Sequence, residues 1–283
     1  MRILISLLFL AVMARADWVD RYDQGEHLLL QGRTEDAIRE FRSALAERPD
    51  HAAILDALGR AELFAGRYRA AKSYLEKASR LGGEKSASPV NLAMACMALG
   101  HHRRAEQILR QVLATHPDNP SVLRALAQAL YHQGLATQAA LILEKLLLSS
   151  QALGVRADLA VLYQTLGRKD KALELLLSAV DDSEPGQVRA RLLTNLGVLH
   201  WKMGSRKESE IALRLALAEA EASVGKQHPD TAWILEQYSE VIRALGRKQE
   251  ARRLSARAAE IRSALSTQTN DRHFTVDWRE SAR

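Results

Sequence analysis

The side chains that most often perform catalysis are few and scattered in this sequence. The chain of 283 residues has nine histidines and one cysteine, Cys96. It contains no His-Glu-x-x-His helix, no Gly-x-Ser-x-Gly turn and no phosphate-binding glycine loop. His101 and His102 are adjacent, so a helix would direct them to different faces, which favours a basic exposed turn over a metal site. We therefore expect no enzymatic activity, no metal ion and no cofactor.

The first sixteen residues have the pattern of a secretory signal peptide. Arg2 supplies a positive charge, residues 3–13 are almost all apolar, and residues 14–16 (Ala-Arg-Ala) fit a small-x-small cleavage site. An apolar helix of this length rises only about 16 Å, roughly half of a hydrocarbon core, so a membrane anchor is the weaker interpretation. No cysteine follows the run as a lipid attachment point. We predict export to the periplasm or out of the cell, with no stable membrane span after cleavage.

The net charge and the cysteine content bear on which partners the protein can bind and on what stabilises its fold. Removing residues 1–16 takes away two arginines and no acidic residue, which lowers the net charge from +6 to +4. Lys and Arg are spread along the chain rather than clustered, so we do not expect nucleic-acid binding. Because Cys96 is alone, no intramolecular disulfide can form, and its apolar surroundings predict a buried core residue. Stability must therefore come from packing.

A glycine recurs along the chain at nearly constant spacing. The glycines at 32, 66, 100, 134, 167, 204 and 246 are separated by 34, 34, 34, 33, 37 and 42 residues. Five residues after each glycine stands a small side chain: Ala37, Ala71, Ala105, Ala139, Ala172, Ser209 and Ala251. Glycine readily adopts the left-handed conformation that ends a helix, and a small residue lets the next helix cross closely. The spacing predicts seven helical hairpins.

Two further positions repeat in register with the glycines. A leucine followed by a small residue precedes the turn, as Leu58-Gly59, Leu92-Ala93, Leu126-Ala127, Leu159-Ala160 and Leu196-Gly197. A large apolar residue lies four after the small one, at Phe41, Leu75, Leu109, Leu143, Leu176 and Leu213. This spacing places large and small side chains on one helix face, where a hairpin would close.

These residues together resemble the tetratricopeptide repeat (TPR) family. The second unit matches best, through Leu55, Leu58, Gly59, Gly66, Ala71, Leu75 and Ala78. HEAT and armadillo repeats are longer and lack the glycine-then-alanine spacing. The last two units resemble the 42-residue repeats of kinesin light chains. There Gly225 is placed to end one helix and Asp230 to cap the next, and Pro-Asp pairs also precede helices at 49–50 and 117–118.

The resemblance implies an all-α, right-handed superhelical solenoid of about seven helix-turn-helix hairpins, with a short extended C-terminal tail. We expect a signal peptide at 1–16, the solenoid at 17–265 and the tail at 266–283. The predicted repeats lie near 18–51, 52–85, 86–119, 120–152, 153–189, 190–231 and 232–265.

The resemblance also implies a concave groove, lined by the first helix of each hairpin, that holds a partner peptide. The matching groove positions are Arg60, Asn91, Met94, Arg124, Gln128, Tyr131, Arg191, Asn195, Trp201 and Arg243. The asparagines could donate to and accept from a peptide main chain, or be ordinary solvated or capping residues. The arginines would attract an acidic segment or a terminal carboxylate, or be solvated surface residues. The aromatics would be binding anchors or core residues.

In the tail, Phe274, Val276 and Trp278 alternate with polar residues, which is typical of an extended strand. We expect residues 273–278 to cap the last helices, or else to recruit a partner or mediate self-association. The sequence thus predicts an exported scaffold that binds a protein or peptide in its groove. The alternative is an oligomerising structural subunit of a cell-envelope assembly, held together through its convex face or its tail.

Overall fold

The computed structural model describes residues 18–82 and 89–268. These residues form fourteen α-helices and no strand, which confirms the all-α class and the seven hairpins. None of the described helices is long and apolar enough to cross a membrane. The predicted signal peptide, residues 1–16, and the predicted cap, residues 273–278, lie outside the described residues.

The chain divides into two compact units, and the first ends at Pro117. This N-terminal unit contains three hairpins. Their helices are α1 (18–30) with α2 (Thr34–Glu47), α3 (Ala52–Phe64) with α4 (Tyr68–Gly82), and α5 (Pro89–Ala98) with α6 (His102–Thr115).

The C-terminal unit begins at Asp118 and contains four hairpins. Its helices are α7 (Pro120–His132) with α8 (Ala136–Ser149), α9 (Leu153–Thr165) with α10 (Lys169–Asp181), α11 (Gln187–Met203) with α12 (Arg206–Ser223), and α13 (Pro229–Ala244) with α14 (Lys248–Gln268). Three of these bounds differ from the predicted repeats. Helix α11 starts before residue 190, α13 starts before residue 232, and α14 continues past residue 265.

The seven turn glycines adopt the predicted left-handed conformation, with φ between 70° and 86°. The residue after each glycine donates its backbone N–H to a carbonyl five residues earlier. Arg67, for example, donates to Glu62 over 2.9 Å, and Ser205 donates to His200 over 2.9 Å. This pattern satisfies carbonyls that a helix end would otherwise leave unpaired. The glycine spacing therefore fixes where every first helix stops.

The small and large residues meet inside each hairpin as predicted. The seven small residues of the second helices are all fully buried. A β-carbon added at Gly59 would lie 2.5 Å from Cγ of Leu75, and one added at Gly197 would lie 2.6 Å from Cγ of Leu213. These glycines let the two helices approach closely enough for the leucine to pack on bare backbone.

The predicted capping residues were wrong by one or two positions. At the start of α13, Nδ1 of His228 accepts the backbone N–H of Asp230 over 3.1 Å, so His228 is the cap. The Asp230 carboxylate instead accepts from Nε2 of Gln187 over 2.8 Å. At the start of α7 the cap is Asn119, not the preceding aspartate. In both places the proline is the first helical residue, so the residue before it occupies the capping position.

Candidate functional site

The first helices of successive hairpins contact one another within each unit. Helix α3 touches α5 in the N-terminal unit, and α9 and α11, like α11 and α13, touch in the C-terminal unit. We call the surface that these helices form, together with the polar side chains at it and directly beneath it, the first-helix face of each unit. The predicted groove residues all lie on first helices: α3 and α5 in one unit, and α7, α11 and α13 in the other.

In the N-terminal unit, Arg60 is held between two carboxylates. Its guanidinium is bonded to Glu26 of α1 and lies 3.5 Å from Asp56 of its own helix. Burial, together with the nearby Glu26 carboxylate, raises the pKa of the Tyr22 hydroxyl. Arg60 therefore already has two anionic partners inside the protein, which reduces its attraction for a ligand carboxylate.

Asn91 and Met94 are half-buried on α5 in the same unit. Asn91 already has an interaction partner within the protein. A peptide amide would therefore have to share or displace that partner to bind Asn91.

The C-terminal unit has a buried carboxylate on its first-helix face, which we call the Asp158 cluster: Asp158, Arg124 and Arg191. Nε and Nη2 of Arg124, on α7, both donate to Oδ2 of Asp158, on α9, over 2.9 and 2.8 Å. Asp158 is only 6% exposed. The guanidinium lies against Gly154, where a β-carbon would be 2.9 Å from Nη2. Gly154 therefore makes room for the arginine that neutralises Asp158.

Burial raises the pKa of the Asp158 carboxyl from 3.8 to about 6, although Arg124 and Arg191 act in the opposite direction. The free-energy cost of removing the ionised carboxylate from water exceeds the electrostatic stabilisation that the two arginines provide. Arg191, on α11, is exposed to solvent. The cluster thus combines a carboxylate committed to Arg124 with a second guanidinium that is accessible to a ligand.

Three other predicted residues flank the cluster on the same helices. Gln128 and Tyr131 are half-buried and follow Arg124 by four and seven residues, which places them along one side of α7. The Tyr131 ring lies 5.5 Å from the ring of His132. Asn195 follows Arg191 by four residues, is half-buried and has an interaction partner within the protein.

The structure does not bring Trp201 and Arg243 to this cluster. Trp201 is partly buried and packs against the cluster of buried residues that contains Leu213 and Tyr238. Nη2 of Arg243 donates to Oγ of Ser255 over 3.3 Å, on the second helix of its own hairpin. Of the two roles predicted for Trp201, a binding anchor or a core residue, this packing favours the core role.

Asp158 was absent from the predicted groove residues, although the sequence carries a signal for it. It stands nine residues before the turn glycine Gly167. Asn91 and Asn195 stand nine residues before Gly100 and Gly204. The same offset in three hairpins marks one position on the first-helix face.

The fold resembles solved TPR structures. A TPR protein from Parabacteroides merdae superposes with a TM-score of 0.70 at 15% identity, covering 87% of this chain and 93% of that one. The TPR-like repeats of a kinesin light chain from Podosopora anserina superpose with a TM-score of 0.52 at 21% identity, covering 63% and 95%. These likenesses concern the fold alone.

One curated relative is similar in sequence over part of the chain. The Vi polysaccharide export protein VexE of Salmonella typhi is 36% identical over 112 residues, which is 38% of this chain. This chain spans 17% of the length of that relative.

Family models described as tetratricopeptide repeat match three parts of the chain. They cover 28–152 through three overlapping matches, then 153–177 and 188–264. The matched residues are most of the described structure, and they include the turn glycines and the Asp158 cluster. This chain therefore belongs to the tetratricopeptide repeat family.

Proposed function

We propose that this protein is an exported, non-enzymatic scaffold that binds a partner peptide or protein on the first-helix face of its C-terminal unit. Membership of a family of interaction scaffolds supports the binding role, and the signal-peptide pattern of residues 1–16 supports export. The observation that carries the proposal is the Asp158 cluster, where charged and amide side chains from three successive hairpins lie on one face.

The chemistry of this face selects an extended segment with at least one carboxylate. Arg191 offers donors that a carboxylate can accept in a paired arrangement. Asn195, one helical turn away, can both donate to and accept from a peptide backbone when it shares or releases its partner within the protein. Arg124 is committed to Asp158, so Arg191 makes the first contact with the ligand.

The similarity to a polysaccharide export protein indicates where a partner should be sought. The match covers a minor part of both chains, so it transfers no activity. Within this proposal, proteins of the cell envelope that handle exported material are the first candidates for the partner.

Binding can be tested without knowing the natural partner. Peptides selected from a displayed random library against the processed chain, residues 17–283, would be titrated by calorimetry. Losing a charge-assisted contact costs about 1.5–3 kcal/mol, so Arg191→Glu should weaken binding at least about tenfold. Arg252→Glu makes the same charge change at an exposed site on α14 and should leave the affinity unchanged. Equal weakening by both variants would refute the site.

Export has its own test. Expressed with its native N-terminus in a Gram-negative host, the protein should appear in the periplasmic or extracellular fraction, and its intact mass should correspond to a chain beginning at Asp17. A full-length mass in the cytoplasmic fraction would contradict export and leave the binding proposal standing.

A second candidate function is a structural subunit that assembles through its second helices. Exposed large apolar side chains favour it, because five of them lie on second helices of the C-terminal unit: Leu141, Leu148, Leu177, Ile211 and Leu215. Under this alternative, Arg191→Glu leaves assembly intact, whereas substitutions on the second helices disrupt it.

A further inference from the structure

The outer face of α12 differs from that of every other second helix in the described residues. Seven and eleven residues after the turn glycine, α12 has Ile211 and Leu215, which are 50% and 48% exposed. At least one of these two positions is polar or charged in each of the other six second helices. In α14, for example, they are Arg253 and Arg257. The hairpin fold therefore does not require apolar residues at this register.

The exposed apolar residues of α12 continue as a stripe. Ala218 and Ala222 are also exposed, so the stripe reads Ile211, Leu215, Ala218 and Ala222. Its spacing of four, three and four residues is that of a helix seam that packs on another helix. The side of α12 that packs within its own unit is a different one, made by Ser209, Ala212, Leu213, Ala216 and Ala220.

The stripe is complementary to itself when two copies of α12 run antiparallel. A two-fold axis beside residues 216 and 217 places Leu215 opposite the partner's Ala218, and Ile211 opposite the partner's Ala222. Each large side chain then meets a small one, as close packing requires.

On one flank of the stripe, the charges agree with this pairing. Arg214 is exposed on one flank, and Glu221 lies on the same flank two turns further along. In the antiparallel arrangement Arg214 approaches the partner's Glu221. Glu221 is 24% exposed and already bonded to Arg257 over 2.5 Å, and a carboxylate can accept from two guanidinium groups.

The flanks also argue against a lipid surface. Lys207 and Arg214 lie on one side of the stripe, and Glu208 and Glu219 on the other, so the stripe has no excess of positive charge. An amphipathic helix that binds an anionic bilayer carries Lys and Arg on its polar face.

We infer that two copies of this protein associate through an antiparallel pair of α12 helices, centred between residues 216 and 217. One helix of 18 residues is about 27 Å long, so the pair buries less than the roughly 800 Å² per partner of a standard interface. The dimer is therefore weak, with a dissociation constant on the order of tens of micromolar, and forms at high local concentration.

Sedimentation velocity over a range of concentrations tests the association. The processed chain should shift from monomer to dimer, and Leu215→Glu should weaken that shift at least about tenfold. Val188→Glu is the matched control, because Val188 is a 56% exposed apolar residue on the first helix α11 of the same unit and lies outside the second helices. Its dimerisation should equal that of the unmodified chain. A monomer at every concentration, or an equal loss in both variants, would overturn the inference.

Cysteine pairing tests the antiparallel register. Cys96 is buried, so it should not form a disulfide in this experiment. Ile211→Cys and Ala222→Cys proteins should form a disulfide-linked dimer when mixed and oxidised, and neither should do so alone. A dimer of Ile211→Cys by itself indicates parallel helices and overturns the proposal.

Two other occupants of the stripe have distinct outcomes, and each would overturn the inference. If residues 269–283 cover the stripe, dimerisation appears only after Trp278→Asp in the full processed chain. If a membrane covers it, the chain sediments with phosphatidylglycerol vesicles and Leu215→Glu abolishes that binding.

Discussion

The N-terminal and C-terminal units use the same packing inside their hairpins and differ at the positions that packing leaves free. On the first-helix face, Arg60 pairs with Glu26 at a site where both side chains are 30% exposed. In the other unit Asp158 is buried beneath Arg124 and its pKa is raised. On the outer face, the residues seven and eleven after the turn glycine are Arg39 and Ser43 in α2, whereas the corresponding residues of α12 are apolar. Folding constrains both units alike, so their differences point to function.

The largest expected effect concerns the packing of a leucine against a glycine inside the hairpins, which both units share. Leu75 and Leu213 are fully buried and pack against glycines of the facing helices. Replacing either leucine with alanine should cost about 3 kcal/mol of unfolding free energy, because it leaves a cavity in the hairpin. Urea unfolding followed by circular dichroism would measure both. A loss in one unit much smaller than in the other would break the equivalence.

A double-mutant cycle gives the matched control. Gly59→Ala alone should destabilise, because its new β-carbon collides with Leu75. In the Leu75→Ala background the collision is gone, and alanine should stabilise the helix by roughly 0.5–1 kcal/mol relative to glycine. Additive effects would show that the two residues do not meet.

The turns and the packing inside the hairpins are predictable from the sequence, because only a few residue types fit a positive φ or a close contact between helices. Gly204 has a φ of 86°, which disfavours other residues, and the fixed offset to Ser209 follows from it. The bounds of α11 and α14 are less predictable, because helices in these longer hairpins end where local caps and packing permit.

The site is only partly predictable, for a different reason. The offset of nine residues before the turn glycine predicts that Asp158 lies on the first-helix face. Its bond to Arg124 depends on the space above Gly154, a contact between two hairpins that no single repeat contains. Trp201 illustrates the same limit, since Leu213 and Tyr238 decide whether its ring is core or surface.

The next prediction, smaller in effect, tests the contrast between the buried carboxylate of Asp158 and the more exposed carboxylate of Glu26. Because the folded pKa of Asp158 lies above its ordinary value, the folded state is favoured while Asp158 is protonated and loses stability as the pH rises through about 6. Asp158→Asn keeps an acceptor for Arg124 and removes this titration. The free energy of unfolding of the variant, relative to that of the unmodified protein, should therefore rise by about 2 kcal/mol when the pH is raised from about 4.5 to about 7.5.

Urea unfolding of both proteins at the two pH values gives that difference directly, since all other groups titrate alike. Glu26→Gln is the control in the N-terminal unit, where water still reaches the pair with Arg60. It should change stability by less than about 1 kcal/mol. If the advantage of Asp158→Asn is the same at both pH values, Asp158 is not the raised carboxyl.

The smallest effect concerns the start of the C-terminal unit, where the sequence pattern and the structure select neighbouring residues. Oδ1 of Asn119 accepts the backbone N–H groups of Ser121 and Val122 over 3.1 and 3.2 Å. Asn119→Ala should therefore cost about 1 kcal/mol, the usual value of a helix cap. Asp118→Ala should change thermal stability little, because Asp118 is exposed and stands one residue before the cap. The opposite ranking in a thermal melt would restore the Pro-Asp interpretation. The predicted ranking would mean that the residue directly before Pro120, and not the aspartate of the Pro-Asp pair, caps α7.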